Sequence, residues 1–206
     1  MMNLHTPVLP KSKPVRFLAL GDSYTIGESV AELQRWPVQL IDSLANQGYT
    51  CEKADILANT GWDTDDLKKA LGASMLPKDY NLVSLLIGVN NLYQGKDISD
   101  YGNEFEALLS MAIQQAGGDP SKVFVLSIPD YGYTPFGRDK QPVISAKIDV
   151  FNAVNKSVAD KKGVTYINIT DISRFGFSDP ELIADDGLHP SGKMYGRWVA
   201  RILENL

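Results

Sequence analysis

The 206-residue chain contains only two histidines, His5 and His189, so any chemistry that needs an imidazole must use one of them. His189 ends the run Asp186-Gly187-Leu188-His189, three residues after a carboxylate, whereas His5 sits in a terminus punctuated by Pro7, Pro10 and Pro14. Three further segments collect chemically useful groups: Gly21-Asp22-Ser23-Tyr24-Thr25-Ile26-Gly27, Asn59-Thr60-Gly61 and Gly88-Val89-Asn90-Asn91. A serine, small glycines, amide side chains and an Asp-x-x-His together suggest acyl transfer. A serine hydroxyl attacks poorly until a neighbouring imidazole takes its proton. That imidazole needs a carboxylate to hold its tautomer and to stabilise its cation. The tetrahedral intermediate needs hydrogen-bond donors aimed at its oxyanion.

Such groups must be carried by a scaffold, and the apolar pattern predicts one. Phe17 to Leu20 reads as a buried strand ending at Gly21, and Ala54 to Ala58 as a second. Leu82 to Ile87 gives the strongest strand signal, followed by Lys122 to Leu126 and Val164 to Ile169. Between them lie helical spacings at Pro37 to Asn46, Asp65 to Ala73, Tyr101 to Gln115 and Val143 to Asp160, with a last one from Ser191 to Leu206. That last helix carries Met194, Trp198, Ile202 and Leu206 on one stripe. Strands that are continuously apolar and alternate with helices imply a parallel sheet covered on both faces, an α/β domain of three layers. In such sheets the ligand site lies beyond the carboxyl ends of the strands. Ser23, Gly61 and Asn90 all fall just past a predicted strand. No linker or repeat divides the chain, so the expected organisation is a flexible lead-in over 1–14 and one domain over 15–206.

The four segments resemble, in order and identity, the four signature blocks of the SGNH (GDSL-type) hydrolases, a flavodoxin-like superfamily of esterases and lipases. The likeness spans nearly all of the chain after about residue 15. It implies a five-stranded parallel sheet and a serine esterase working through an acyl-enzyme, with no cofactor. Two histidines so far apart in sequence argue against a His-rich metal site. It implies Ser23 as nucleophile, His189 as general base and Asp186 as the acid that orients it. The main-chain N–H groups of Ser23 and Gly61, with the side-chain amide of Asn90, become the oxyanion hole.

Three positions depart from the family pattern. Tyr24 replaces a Leu without touching the nucleophile. Asn91 stands where Asp is common, which removes a charge and is expected to loosen the contact that carboxylate makes. Thr64 stands three residues after Gly61, where a further Gly is common. Tyr24, Trp62, Tyr93, Tyr131, Tyr133, Phe136, Phe175 and Phe177 are candidate walls of an acyl or leaving-group pocket. The loop from Pro129 to Pro142 reads either as a lid or as a rigid wall.

Each motif also has a plainer reading. Ser23 alone would be a turn or N-cap serine, Gly61 a loop glycine of positive φ and Asn90 a turn former. Asp185 competes with Asp186, and the three-residue spacing to His189 favours Asp186. Asp22 reads as a structural hydrogen-bonder rather than an acid or base. Cys51 reads as a small apolar group beside the second strand, and as the single cysteine it excludes an internal disulfide.

Twenty Lys and Arg against 25 Asp and Glu leave a net charge of −5, which argues against nucleic acid or an anionic membrane as a principal partner. No stretch approaches the ~18 apolar residues of a membrane span. No signal-peptide run precedes Val15, so the default compartment is cytoplasmic, although a secretion signal already trimmed would leave no trace. Gly187 to Met194 spells a phosphate-binding loop except at its end, where Met194 replaces the Ser or Thr that would bind magnesium. No Gly-x-Gly pair, Gly-x-Ser-x-Gly elbow or Ser-x-x-Lys occurs. The expected partner is a small ester of short to medium acyl length. Carbohydrate O-acetyl groups, lysophospholipids and thioesters are alternatives on the same catalytic set. A silent binding module on this fold is the alternative of another class. Oligomeric state is not legible.

Overall fold

The computed structural model describes Leu9 and residues 11–206. Most of the expected lead-in, and His5 with it, lies outside the described residues. Leu9 is buried, and the Lys11 ammonium lies 5.5 Å from the centroid of the Tyr49 ring.

Five parallel strands form one sheet: β1 (Phe17–Gly21), β2 (Asp55–Ala58), β3 (Leu82–Leu86), β4 (Val123–Leu126) and β5 (Thr165–Ile167). Their spatial order is β2-β1-β3-β4-β5. β1, β3 and β4 are buried along their whole length, the pattern of strands covered on both faces. The edge strand β2 is only half-buried.

The helices in chain order are α1 (Ser23–Ile26), α2 (Trp36–Asn46), α3 (Thr64–Ala73), α4 (Val89–Tyr93), α5 (Ile98–Gln115), α6 (Gln141–Lys162), α7 (Thr170–Ser173) and α8 (Gly192–Leu203). The chain steps from β1 to β2 in one direction and from β2 through β5 in the other. Right-handed crossovers therefore put α2 on one face and α3, α5 and α6 on the other. α8 returns to pack on α2, while α5 packs on α3 and α6. Phe17, Trp36 and Phe124 cluster under the α2–α8 layer with ring centroids 5.9–6.5 Å apart. On the opposite face Tyr101 stacks on Phe151 at 4.5 Å. The last helix ends at Leu203, so Leu206 lies beyond the stripe expected to contain it, and Tyr195 and Val199 join Met194, Trp198 and Ile202 in the core. Cys51 is half-buried, and that burial pushes its thiol above the ordinary range.

The short helices α1, α4 and α7 have too few residues for an apolar period to be read from sequence. Two of them carry the candidate site. The reversal of direction falls at β1, between β2 and β3, and it opens the crevice in which open α/β sheets bind ligands. Among the described residues no helix is long and apolar enough to cross a membrane.

Candidate active site

β1 runs out at Gly21, where a Cβ would stand 2.6 Å from the Leu86 carbonyl oxygen of β3. Only glycine lets the two strands close up here. Asp22 then caps α1, its Oδ1 accepting the Tyr24 N–H at 3.0 Å, as expected of a structural hydrogen-bonder. Its other oxygen is buried without a partner among the described residues. Burial accordingly pushes the Asp22 carboxyl up to about 7, against the backbone hydrogen bond from Tyr24. Ser23 is thereby presented at the first position of α1, just past the strand.

Beyond β2, Gly61 adopts φ 82°, a conformation that glycine holds without strain. Beyond β3, Asn90 lies in α4, and its Nδ2 donates to the Trp62 carbonyl at 2.8 Å. Among the described residues the second N–H of that amide has no hydrogen-bond partner. Neither the Ser23 nor the Gly61 backbone N–H donates to another described residue. Ser23, Gly61 and Asn90 all line one cavity of about 240 Å³, so the residues that carry the three expected donors border one space.

His189 lines the same cavity and is nine-tenths buried. It stands in a short hairpin ahead of α8. Ala184 N–H donates to the His189 carbonyl at 2.8 Å, Ile183 pairs with Pro190, and Ser191 caps α8 through Met194 N–H at 3.3 Å. Asp186 Oδ1 accepts the N–H groups of Leu188 and His189, both at 2.9 Å. Its Oδ2 lies 2.6 Å from His189 Nδ1 and accepts the Ser29 hydroxyl at 2.6 Å. Burial alone would raise this carboxyl. The hydrogen bonds from Ser29, His189 and Leu188 outweigh it and hold Asp186 well below the usual carboxylate range. Asp185 is exposed and takes no part in these contacts. The Tyr24 ring packs edge-on against the imidazole at 5.7 Å. Among the described residues the Ser23 hydroxyl has no hydrogen bond within 3.5 Å to His189; such contacts commonly tighten with substrate in place.

Of the aromatic candidates, Tyr24, Tyr93, Tyr131 and Phe136 line the cavity, and Trp62, Tyr133, Phe175 and Phe177 do not. Tyr133 and Phe177 stack on each other at 5.0 Å, and the Arg138 guanidinium covers Phe177 at 5.4 Å. Phe175 is exposed on the turn after α7, and Trp62 contributes its carbonyl. Thr60, Val89 and Leu188 also line the cavity. They went unassigned in the sequence, although each lies inside one of the four segments.

The loop 129–142 is a pinned wall. The carboxylate of Asp130, 0% exposed, accepts from Gly132 N–H, the Ser145 hydroxyl and Arg174 Nε at 2.6–2.9 Å. Asp130 N–H donates to Ser173 at 2.7 Å. The expectation that Asn91 loosens its surroundings is overturned: it is wholly buried and bonded to Thr64. Among the described residues no group of three or more His, Cys, Asp or Glu could hold a metal ion.

The fold is shared with solved hydrolases. TesA superposes with a TM-score of 0.72 at 19% identity, covering 93% of this chain and 97% of its own. The lipase/acylhydrolase from Enterococcus faecalis gives 0.67 at 23% identity, over 92% and 93%. Axe2, an acetylxylan esterase from Geobacillus stearothermophilus, gives 0.69 at 16% identity, over 95% and 96%. No curated protein matches the chain in sequence. The profile of the GDSL-like Lipase/Acylhydrolase family matches residues 19–197. Sheet order, strand-end site and that match over most of the sequence agree, and the chain belongs to the GDSL-like lipase/acylhydrolase family of ester-bond hydrolases.

Proposed function

We propose that the protein is a serine acylhydrolase that cleaves small to medium acyl esters with Ser23, His189 and Asp186. The observation that carries this reading is the shared wall of the 240 Å³ cavity, where Ser23, Gly61, Asn90 and His189 meet. His189 Nε2 takes the Ser23 proton as Oγ attacks the acyl carbonyl carbon. The Asp186 carboxylate, which already faces Nδ1, stabilises the imidazolium. The oxyanion receives the N–H groups of Ser23 and Gly61 and the free N–H of Asn90. The intermediate collapses, the leaving alkoxide takes the proton from His189, and water repeats the sequence on the acyl-enzyme.

The size of the cavity supports a short acyl group, since drug-sized ligands occupy roughly 300–1,000 Å³. Its walls are largely apolar: Tyr24, Val89, Tyr131 and Leu188. A second reading, removal of an O-acetyl group from a carbohydrate, is favoured by Tyr93 and Phe136. Both line the cavity yet are 66% and 57% exposed, and open ring faces suit a sugar.

Stoichiometric labelling by a fluorophosphonate, lost in Ser23→Ala, is the expected result. Absence of labelling together with absence of p-nitrophenyl acetate turnover would overturn the proposal. A panel of p-nitrophenyl esters of increasing chain length, run beside acetylated oligosaccharides, separates the two substrate readings.

A further inference from the structure

Ser29 is the only non-glycine residue with positive φ among the described residues, at 64°. A side chain at such a position is strained, and glycine would hold the same backbone freely. The chain places glycine two residues earlier, at Gly27 with φ 75°, yet keeps serine here. Strain of this kind persists where the surrounding structure enforces it, and it clusters at functional sites.

The hydroxyl has a specific destination. Ser29 Oγ donates at 2.6 Å to Oδ2 of Asp186, 157 residues away. This is the oxygen that faces His189 Nδ1, also at 2.6 Å. The other oxygen, Oδ1, is held by two backbone N–H groups. Each oxygen of the carboxylate therefore has two partners, and only one of the four contacts comes from outside the segment 186–189. The Asp186 side chain is 31% exposed, so water competes for Oδ2 wherever the serine does not occupy it.

We infer that Ser29 is a positioning residue whose hydroxyl fixes the plane of the Asp186 carboxylate and excludes water from the oxygen that orients His189. This rests on the acyl-transfer reading of the site. Backbone hydrogen bonds at Oδ1 leave the group free to pivot about that oxygen, and the Ser29 bond removes this freedom. The left-handed backbone at position 29 is what brings the hydroxyl within reach.

Two variants separate the hydroxyl from the backbone. Ser29→Gly relieves the strain and removes the donor; Ser29→Ala keeps the strain and removes the donor. The expectation is that kcat for p-nitrophenyl acetate falls about tenfold in both, the order set by one hydrogen bond to a charged group, with KM within about twofold. The unfolding midpoint of the glycine variant should lie above that of the alanine variant, because both lose the hydrogen bond and only glycine relieves the backbone strain. Wild-type kcat in Ser29→Gly, or a change confined to KM, overturns the inference. The glycine variant decides the matter even if the alanine variant fails to fold. Asp186→Asn is measured in parallel. If it keeps wild-type kcat, the acyl-transfer reading of Asp186 falls and takes this inference with it. If it loses activity while Ser29→Gly does not, only the role of Ser29 is lost.

Discussion

Asn91 holds Thr64 with both ends of its amide: Oδ1 accepts the Thr64 N–H at 3.2 Å, and Nδ2 donates to the Thr64 hydroxyl oxygen at 2.6 Å. These are two of the three positions at which the chain departs from its family's signature, and they depart together. The Thr64 hydroxyl in turn donates to Glu104 of α5, and Lys96 bridges Asp63 at 2.9 Å. A carboxylate therefore serves this corner from α5 rather than from position 91. The pair clamps the loop after β2, which carries Gly61, to the start of α4, which carries Asn90.

Replacing Asn91 by Ala should therefore cost about 1–3 kcal/mol, the price of leaving the Thr64 N–H buried without a partner. Asn91→Asp, which restores the residue common in the family, should also destabilise, because its carboxylate would meet Glu104 and could not donate to Thr64. Urea unfolding at pH 7 measures both. A stable Asn91→Asp variant would show that the corner is not tuned to the amide.

Asn90→Ala would remove one of the three donors proposed for the oxyanion and leave the two backbone N–H groups in place. We expect kcat to fall ~10²–10³-fold with little change in KM. Steady-state kinetics on one ester suffice. A pure KM effect would place Asn90 in ground-state binding instead.

Asp22 predicts a pH dependence of stability whose sign follows from burial. Its folded value is raised to about 7, so its contribution is fully present below the unfolded value of ~3.9 and lost as pH rises through 7. Asp186 has the opposite sign, being held low. Its contribution is present above the unfolded value and is lost only as the solution becomes strongly acidic. Between pH 5 and 8 only Asp22 of this pair changes charge. Its effect should make the protein less stable at pH 8 than at pH 5.5, by about 2 kcal/mol, and Asp22→Asn should flatten that slope. Denaturant midpoints at the two pH values test it. An unchanged slope in Asp22→Asn would assign the dependence to other groups.

The aromatic residues divide into two sets with different expected phenotypes. Phe136→Ala and Tyr93→Ala should alter the ranking of acyl lengths, because both rings line the cavity. Phe175→Ala and Phe177→Ala should leave that ranking unchanged, since neither ring does. A p-nitrophenyl ester series reads all four variants. A changed ranking in all four would mean that substrate reaches beyond the cavity, and no change in any would mean that these rings do not set chain-length preference.

The strands and long helices were legible because burial on both faces leaves an apolar run and burial on one face leaves a 3.6-residue period. Residues 82–87 and the Met194, Trp198 and Ile202 stripe illustrate the two patterns. The candidate site was legible because Ser23, Gly61 and Asn90 each follow a strand directly, and parallel strands bring their carboxyl ends to one edge. The short helices α1 and α4 were not, since four or five residues show no period. The loop aromatics were not either. Tyr131 and Tyr133 are two residues apart, yet the first lines the cavity and the second stacks away on Phe177.

By itself the sequence determined the class of fold, the order of its elements and the four segments at the strand ends, since these follow from local pattern and chain direction. Tertiary structure alone decided which groups complete the site. Ser29 reaches Asp186 across 157 residues, Asn91 reaches Thr64 across 27, and Asp130 anchors its loop through Arg174, 44 residues on. Nothing in a local window records such contacts. They depend on where the packed sheet brings two loops together, and a hydrogen bond forms only when donor and acceptor come within about 3 Å.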